Sequence, residues 1–206
     1  MDPSPSQHAP ARELILASAS PRRRELLAQI GVHCRVVAAA LDEQQLPAES
    51  PGECVQRLAL AKAQLVRKRE GVPAAVVLGA DTAVVLDGRM LGKPADRVAH
   101  QRMMSALSGR THLVLTAVAV ISARGASVYL SESKVKFCDL SVAEAHAYWA
   151  SGEPADKAGG YAIQGRGAVF VMDLQGSYSG VMGLPLFETA ALLKEHGVLL
   201  GWKEQM

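Results

Sequence analysis

At 206 residues the chain can form one large domain or two small lobes around a sizeable core, and 49% apolar with 20% charged residues is the balance of a globular protein. A net charge of +2 and only 4% aromatics argue against a nucleic-acid partner, which wants a broad basic surface or stacking platforms. No apolar run reaches membrane-spanning length and no secretory leader is visible, so no membrane partner is expected and the expected compartment is the cytoplasm. Cys34, Cys54 and Cys138 are odd in number and share no metal-ligand spacing, which reads as reduced thiols.

Residues 1–12 are polar and proline-rich and read as a disordered tail, with one domain over 13–206. Residues 14–17 read as a short buried strand. The run breaks at Ser18-Ala19-Ser20, where Ser20 suits an N-cap and Pro21 the first helical position. Arg22, Arg23 and Arg24 then crowd the positive end of a helix dipole. With free backbone N–H groups and serine hydroxyls they would cradle a phosphate; the competing reading is a basic surface helix. Gly31 closes this helix, and residues 34–40 read as a second strand.

A polar loop follows, carrying Asp42 and Glu43. The capping box Ser50-Pro-Gly-Glu53 starts a helix running to about residue 70, with Val55, Leu58, Ala59, Lys62, Leu65 and Val66 on one stripe. Residues 74–86 are the most apolar stretch and predict a central strand with Asp81 near one end. Asp87-Gly88 is a turn, residues 96–107 predict a helix closed by Gly109, and 111–122 with 127–138 predict a long antiparallel hairpin. A second capping box, Ser141 to Glu144, starts a helix to about residue 151. Residues 152–167 read as a functional loop, 167–174 and 178–182 as strands, and 185–196 as the last helix. The sum is a mixed α/β fold.

Several residues sit where the pattern does not ask for them. Asp81 at the end of a buried run is costly unless it meets a cation or metal; the alternative is a structural turn cap. With Asp42 and Glu43 it offers hard oxygen ligands for Mg²⁺, against the plainer reading of a solvated acidic loop. Lys62 replaces an apolar residue, either to reach a cleft or to snorkel to the edge. Lys93 sits in Gly-Lys-Pro. Arg22, Arg23, Lys62 and Lys93 together suit a triphosphate better than a carboxylate. Gln164, among glycines, offers a donor and an acceptor that match the N3–H and O4 edge of uracil or thymine, or is an ordinary turn residue. No Walker A loop, Gly-x-Gly-x-x-Gly, Gly-x-Ser-x-Gly or paired-histidine motif is present.

Five ordered segments carry a resemblance: Ala-Ser-Ala-Ser-Pro-Arg-Arg-Arg-Glu-Leu-Leu (17–27), Gly-Ala-Asp-Thr (79–82), Leu-Gly-Lys-Pro (91–94), Asp-Lys-Ala-Gly-Gly-Tyr-Ala-Ile-Gln-Gly (156–165) and Val-Met-Gly-Leu-Pro-Leu (181–186). In this order they resemble the Maf family of nucleoside triphosphate pyrophosphatases. Ile-Gln-Gly, with Gly-Ser-Tyr at 176–178, is similar to the branch acting on dTTP and UTP. The resemblance implies a hydrolase of acid anhydrides that gives a nucleoside monophosphate and pyrophosphate. It implies a divalent metal, Mg²⁺ or Mn²⁺, and a homodimer. The implied fold is a central mixed sheet flanked by helices, two lobes around a deep cleft, similar to inosine triphosphatases. It implies Asp81 as the proton acceptor, grouped with Lys62 and Lys93 in catalysis. Ser18, Arg23, Lys62 and Lys93 are implied to hold phosphates, and Arg22, Thr82 and Gln164 to select the base. Glu43, with Asp81, is implied to bind metal. The alternative is a regulatory interaction protein of cell division or septum formation with little catalytic activity; the intact Arg23, Lys62, Asp81 and Lys93 argue against it.

Overall fold

The structure, a computed structural model, describes residues 13–201; the expected tail at 1–12 lies outside the described residues, as do 202–206. The described chain forms a mixed sheet with helices on both faces. Its elements are β1 (Leu14–Leu16), α1 (Pro21–Gln29), β2 (Arg35–Val36), α2 (Pro51–Glu70), β3 (Val76–Leu86), β4 (Arg89–Leu91), α3 (Arg97–Leu107), β5 (Thr111–Ser122), β6 (Gly125–Phe137), α4 (Val142–Ala150), β7 (Val171–Gln175), α5 (Tyr178–Met182) and α6 (Leu186–Glu195). The main order is β2-β1-β3-β5-β6-β7, with β4 also on β3. β1 pairs with its neighbours in parallel, and the remaining pairs are antiparallel.

One edge of β3 decides where the cleft lies. β5 covers the other edge continuously from Val77 to Val85. β1 and β4 must therefore share the remaining edge, β1 at residues 76–78 and β4 at 84–86. Between them residues 79–83 have no strand beside them. The Ala17 N–H donates to the Leu78 carbonyl at 2.7 Å. By strand alternation, the main-chain groups of Ala80 and Thr82 face the same open side.

Alternation also sorts the side chains. Ile15, Val77, Ala83 and Val85 pack on one face with Val55, Ala59, Ala63 and Val66 of α2. Leu14, Leu16, Val76, Leu78 and Ala80 pack on the other with Leu26, Leu27 and Leu193. Farther along, Val84, Leu86, Met104, Val114, Phe137, Tyr148 and Tyr161 form a third cluster. The two expected lobes thus share the long strands β3 and β5, and the open edge of β3 lies where the clusters part. Gly79 lets α2 approach: a Cβ there would lie 2.2 Å from the Ala59 carbonyl oxygen.

Both capping boxes form, with Ser50 and Ser141 each accepting from the N3 backbone. Other expectations are corrected. Asp81 is not near a strand end but sixth in the eleven residues of β3, and the missing neighbour gives it access instead. The second strand shrinks from 34–40 to Arg35–Val36 at the sheet edge. Leu65, expected on the apolar stripe, is exposed. The stretch 152–167 contains 3-10 turns over Glu153–Asp156 and Ala158–Gly160, and another covers Arg166–Phe170, so β7 begins only at Val171. Residues 178–182 form a helix, not a strand. Ser177 caps it by accepting from the Gly180 N–H and Gly183 ends it at φ 115°, while five residues are too few to show their period.

Two buried histidines tie the 158–161 loop down. The Nε2–H of His100 donates to the Gly160 carbonyl at 3.0 Å, a direction fixed because a carbonyl only accepts. His112 Nε2 pairs with the Tyr161 hydroxyl at 2.8 Å. Burial lowers both, His112 from the usual 6.5 to about 4. The folded state thus binds fewer protons than the unfolded chain, and their contribution to stability, full above about pH 6.5, is lost as pH falls towards 4. Thermal melts between pH 7.5 and 5, above the ordinary carboxylate range, will show stability falling with acid. His112→Asn will flatten that limb, and an unchanged slope in the variant refutes the assignment.

Candidate active site

The β1–α1 loop reaches the open edge first. Ser20 stands at the N-cap, but its hydroxyl makes no capping bond, a departure from expectation. Its N–H instead donates to Ser18 Oγ at 3.2 Å, and Arg23 Nη1 donates to the same oxygen at 3.0 Å. Ser18 accepts twice, which leaves its proton free to donate. Pro21 has no N–H to satisfy, so the first turn of α1 opens on the cleft with little internal capping.

Arg23 is the hub of this end. Its Nε–H donates to the Gly183 carbonyl at 2.9 Å and Nη2 donates to Thr82 Oγ1 at 3.2 Å. Burial lowers its pKa, opposed by the nearby Asp81. Three of its five donors are engaged, and two are left for a ligand. Arg22 points across the cleft, 3.7 Å from Asp156, which also pairs with Lys157. Arg24 is exposed and lines a separate shallow groove, so the expected trio of arginines is a pair at this site.

On the opposite face of β3 the charge is denser. Lys62 Nζ lies 2.6 Å from Asp81 Oδ1 and 2.6 Å from Glu43 Oε1. Lys62 and Asp81 are 6% and 8% exposed, so each is tolerated only through its partner. Burial raises the Asp81 pKa, while Lys62 and Arg23 oppose the rise. A carboxylate moved upward in this way is a better proton acceptor near neutral pH. Asp42 turns back to accept from the Gln44 N–H at 3.0 Å and does not line the cleft.

The nine residues to which the resemblance assigns roles, Ser18, Arg22, Arg23, Glu43, Lys62, Asp81, Thr82, Lys93 and Gln164, line one cleft of about 380 Å³, while Asp42 and Arg24 lie outside it. Its lining mixes the cations Arg22, Arg23, Lys62 and Lys93 with the apolar Val84, Val114, Ile163, Val181 and Met182, and includes Gln164.

Sequence reasoning missed the residues that hold Gln164 in place. Glu153 Oε1 accepts from the Tyr148 hydroxyl at 2.7 Å and the Gly167 N–H at 3.1 Å, and Oε2 from the Arg166 N–H at 3.0 Å. The Tyr148 oxygen accepts from the Ala162 N–H at 3.0 Å. The loop is thus pinned on both sides of Gln164. Gly167 is required by closeness: a Cβ would lie 2.7 Å from the Tyr148 hydroxyl and 2.8 Å from the Ala162 carbonyl oxygen.

Residues 13–196 match the family described as Maf-like protein. The chain belongs to the Maf family. A dTTP/UTP pyrophosphatase of Nitrosospira multiformis is 52% identical over 196 residues, covering 90% of this chain and 95% of that protein. One of Alkalilimnicola ehrlichii is 55% identical over 189 residues, covering 88% and 92%. Among solved structures the likeness is more distant: the Staphylococcus aureus Ham1 protein overlaps at a TM-score of 0.40 and 14% identity, over 62% of this chain and 73% of that one. In this Maf chain the motifs that were dispersed in sequence meet around the open edge of β3.

If Glu153 clamps the loop, Glu153→Gln will cost about 1–3 kcal/mol in chemical denaturation, as expected when buried donors lose a charged acceptor. Amide exchange will quicken at Ala162, Arg166 and Gly167. Unchanged exchange at these three amides would sink the assignment.

Proposed function

We propose that the protein hydrolyses dTTP and UTP between the α and β phosphates, releasing the nucleoside monophosphate and pyrophosphate. One observation carries the reading: a buried Asp81–Lys62 pair 2.6 Å apart opens on a cleft lined by further cations, Arg22, Arg23 and Lys93, and by apolar side chains. The names of relatives about half identical over most of the chain support the same substrates.

In this reading Ser18, Arg22, Arg23 and Lys93, with the first turn of α1, bind the triphosphate. The base lies against Gln164 and the apolar side chains that line the cleft, Ile163 and Val181 among them. Oδ1 of Asp81 is held by Lys62, and its other oxygen takes a proton from water as that water adds to phosphorus. The bond to the bridging oxygen breaks, and pyrophosphate leaves with its charge matched by the lysines and arginines.

Glu43 and Asp81 would hold a divalent cation. Among the described residues no group of three or more His, Cys, Asp or Glu surrounds a metal position. Two carboxylates sharing one ammonium nevertheless suit Mg²⁺, which commonly takes one or two carboxylates and completes its sphere with phosphate and water. When bound, such an ion supplies charge neutralisation to the phosphate oxygens. Free Cys34, Cys54 and Cys138 fit a reducing, cytoplasmic setting.

A panel of nucleoside triphosphates with Mg²⁺ or Mn²⁺, read by chromatography, tests this. dTTP and UTP will give monophosphate and pyrophosphate, chelation will abolish turnover, and Asp81→Asn will lower kcat by about 10²–10⁴, the usual worth of a proton acceptor. Release of single phosphates, or full activity in Asp81→Asn, overturns the reading.

A further inference from the structure

Thr116 lies on β5 beside Thr82, is 1% exposed and does not line the cleft. Its Oγ1 is 2.7 Å from the Gly180 carbonyl oxygen. Two oxygens so close need a proton between them, and a carbonyl has none, so Thr116 donates. The hydroxyls of Thr82 and Thr116 are 3.0 Å apart. With the Thr116 proton already committed, the proton between them comes from Thr82. At the other end Arg23 Nη2, which can only donate, is 3.2 Å from Thr82 Oγ1. The chain therefore runs one way, from Arg23 to Thr82 to Thr116 to the Gly180 carbonyl. Thr82 has no proton left and presents only a lone pair to the cleft. Ser18, at the other side of Arg23, accepts twice and keeps its proton. One guanidinium thus sets two hydroxyls of opposite polarity.

Thr82 also shares a face of β3 with Val84, two residues on, and both line the cleft. We propose that Thr116 is a positioning residue that fixes the proton of Thr82, so that Thr82 acts only as a hydrogen-bond acceptor and selects pyrimidines carrying N3–H over cytosine, whose N3 is itself an acceptor. This rests on the reading of the protein as a pyrimidine triphosphate pyrophosphatase. A site built to accept from a substrate N–H discriminates because a mismatched pair leaves two lone pairs facing each other.

The test compares kcat/KM for UTP and CTP in the wild type, Thr116→Val and Thr116→Ser. Valine keeps the shape but removes the destination of the Thr82 proton, so Thr82 can turn and donate to cytosine N3. The CTP/UTP ratio will rise by roughly tenfold or more in Thr116→Val and stay at the wild-type value in Thr116→Ser, which keeps the hydroxyl. An unchanged ratio in Thr116→Val, or an equal fall for both nucleotides in both variants, overturns the proposal. If Thr116→Val does not fold, Thr82→Val replaces it. There kcat/KM will fall at least about tenfold more for UTP than for CTP, and equal falls overturn the proposal. A wild-type protein that cleaves neither nucleotide overturns the functional reading first and this proposal with it.

Discussion

Asp81 is a carboxylate in the middle of an eleven-residue buried strand, and the fold tolerates it because Lys62 meets it at 2.6 Å. Removing one partner of such a pair typically costs about 3–5 kcal/mol, since the other is left charged and dry. Much of the nearby structure follows from keeping the pair together. α2 must lie close to β3 for a lysine stem to end at the carboxylate, and Gly79, Ala59 and Ala63 are small where helix and strand meet. The pair must also meet substrate, and the absence of a strand beside residues 79–83 provides for that. The break in the sheet thus gives a buried group access without moving it to a loop.

Arg23 does for the opposite face of β3 what Lys62 does for the first. It joins the β1–α1 loop through Ser18, the strand through Thr82 and the end of α5 through the Gly183 carbonyl. Lys62 satisfies carboxylates, so in the proposed function that face carries the proton chemistry. Arg23 satisfies neutral oxygens and keeps charge and donors to spare, so its face suits recognition of phosphate and base. A strand that exposes both faces through one open edge can serve both tasks over two consecutive residues, Asp81 and Thr82.

The helices with capping boxes, the β5–β6 hairpin and the mixed α/β class were legible because each rests on local rules of spacing and capping. So were the residues that violate a pattern: Lys62 on an apolar stripe and Asp81 in an apolar run declared themselves by their cost. Asp81 was misplaced along its strand because a gap between β1 and β4 is a property of pairing, which a single strand does not encode. α5 looked like a strand because five residues hold too little periodicity, and its cap, Ser177, sits in a turn signal that either element would share. Thr116 was invisible for a different reason. A threonine in a β-branched run is an ordinary strand former, and only the meeting with Gly180 and Thr82 gives its hydroxyl a direction.

The cleft also carries a charge imbalance that the fold sustains without a ligand. Arg22, Arg23, Lys62, Lys93 and Lys157 line it, against Glu43, Asp81 and Asp156. Lys62 is matched by Glu43 and Asp81, and Arg22 and Lys157 share Asp156, so the excess rests on Arg23, which meets only neutral oxygens, and on the exposed Lys93. Asp156, bonded to Lys157 and 3.7 Å from Arg22, holds two of these cations together across the mouth. It is a monoanion lying among groups that suit a polyanion. In the proposed function an incoming triphosphate would compete with Asp156 for Arg22 and Lys157, on the same short segment that carries Gln164 and is pinned at its far side by Glu153.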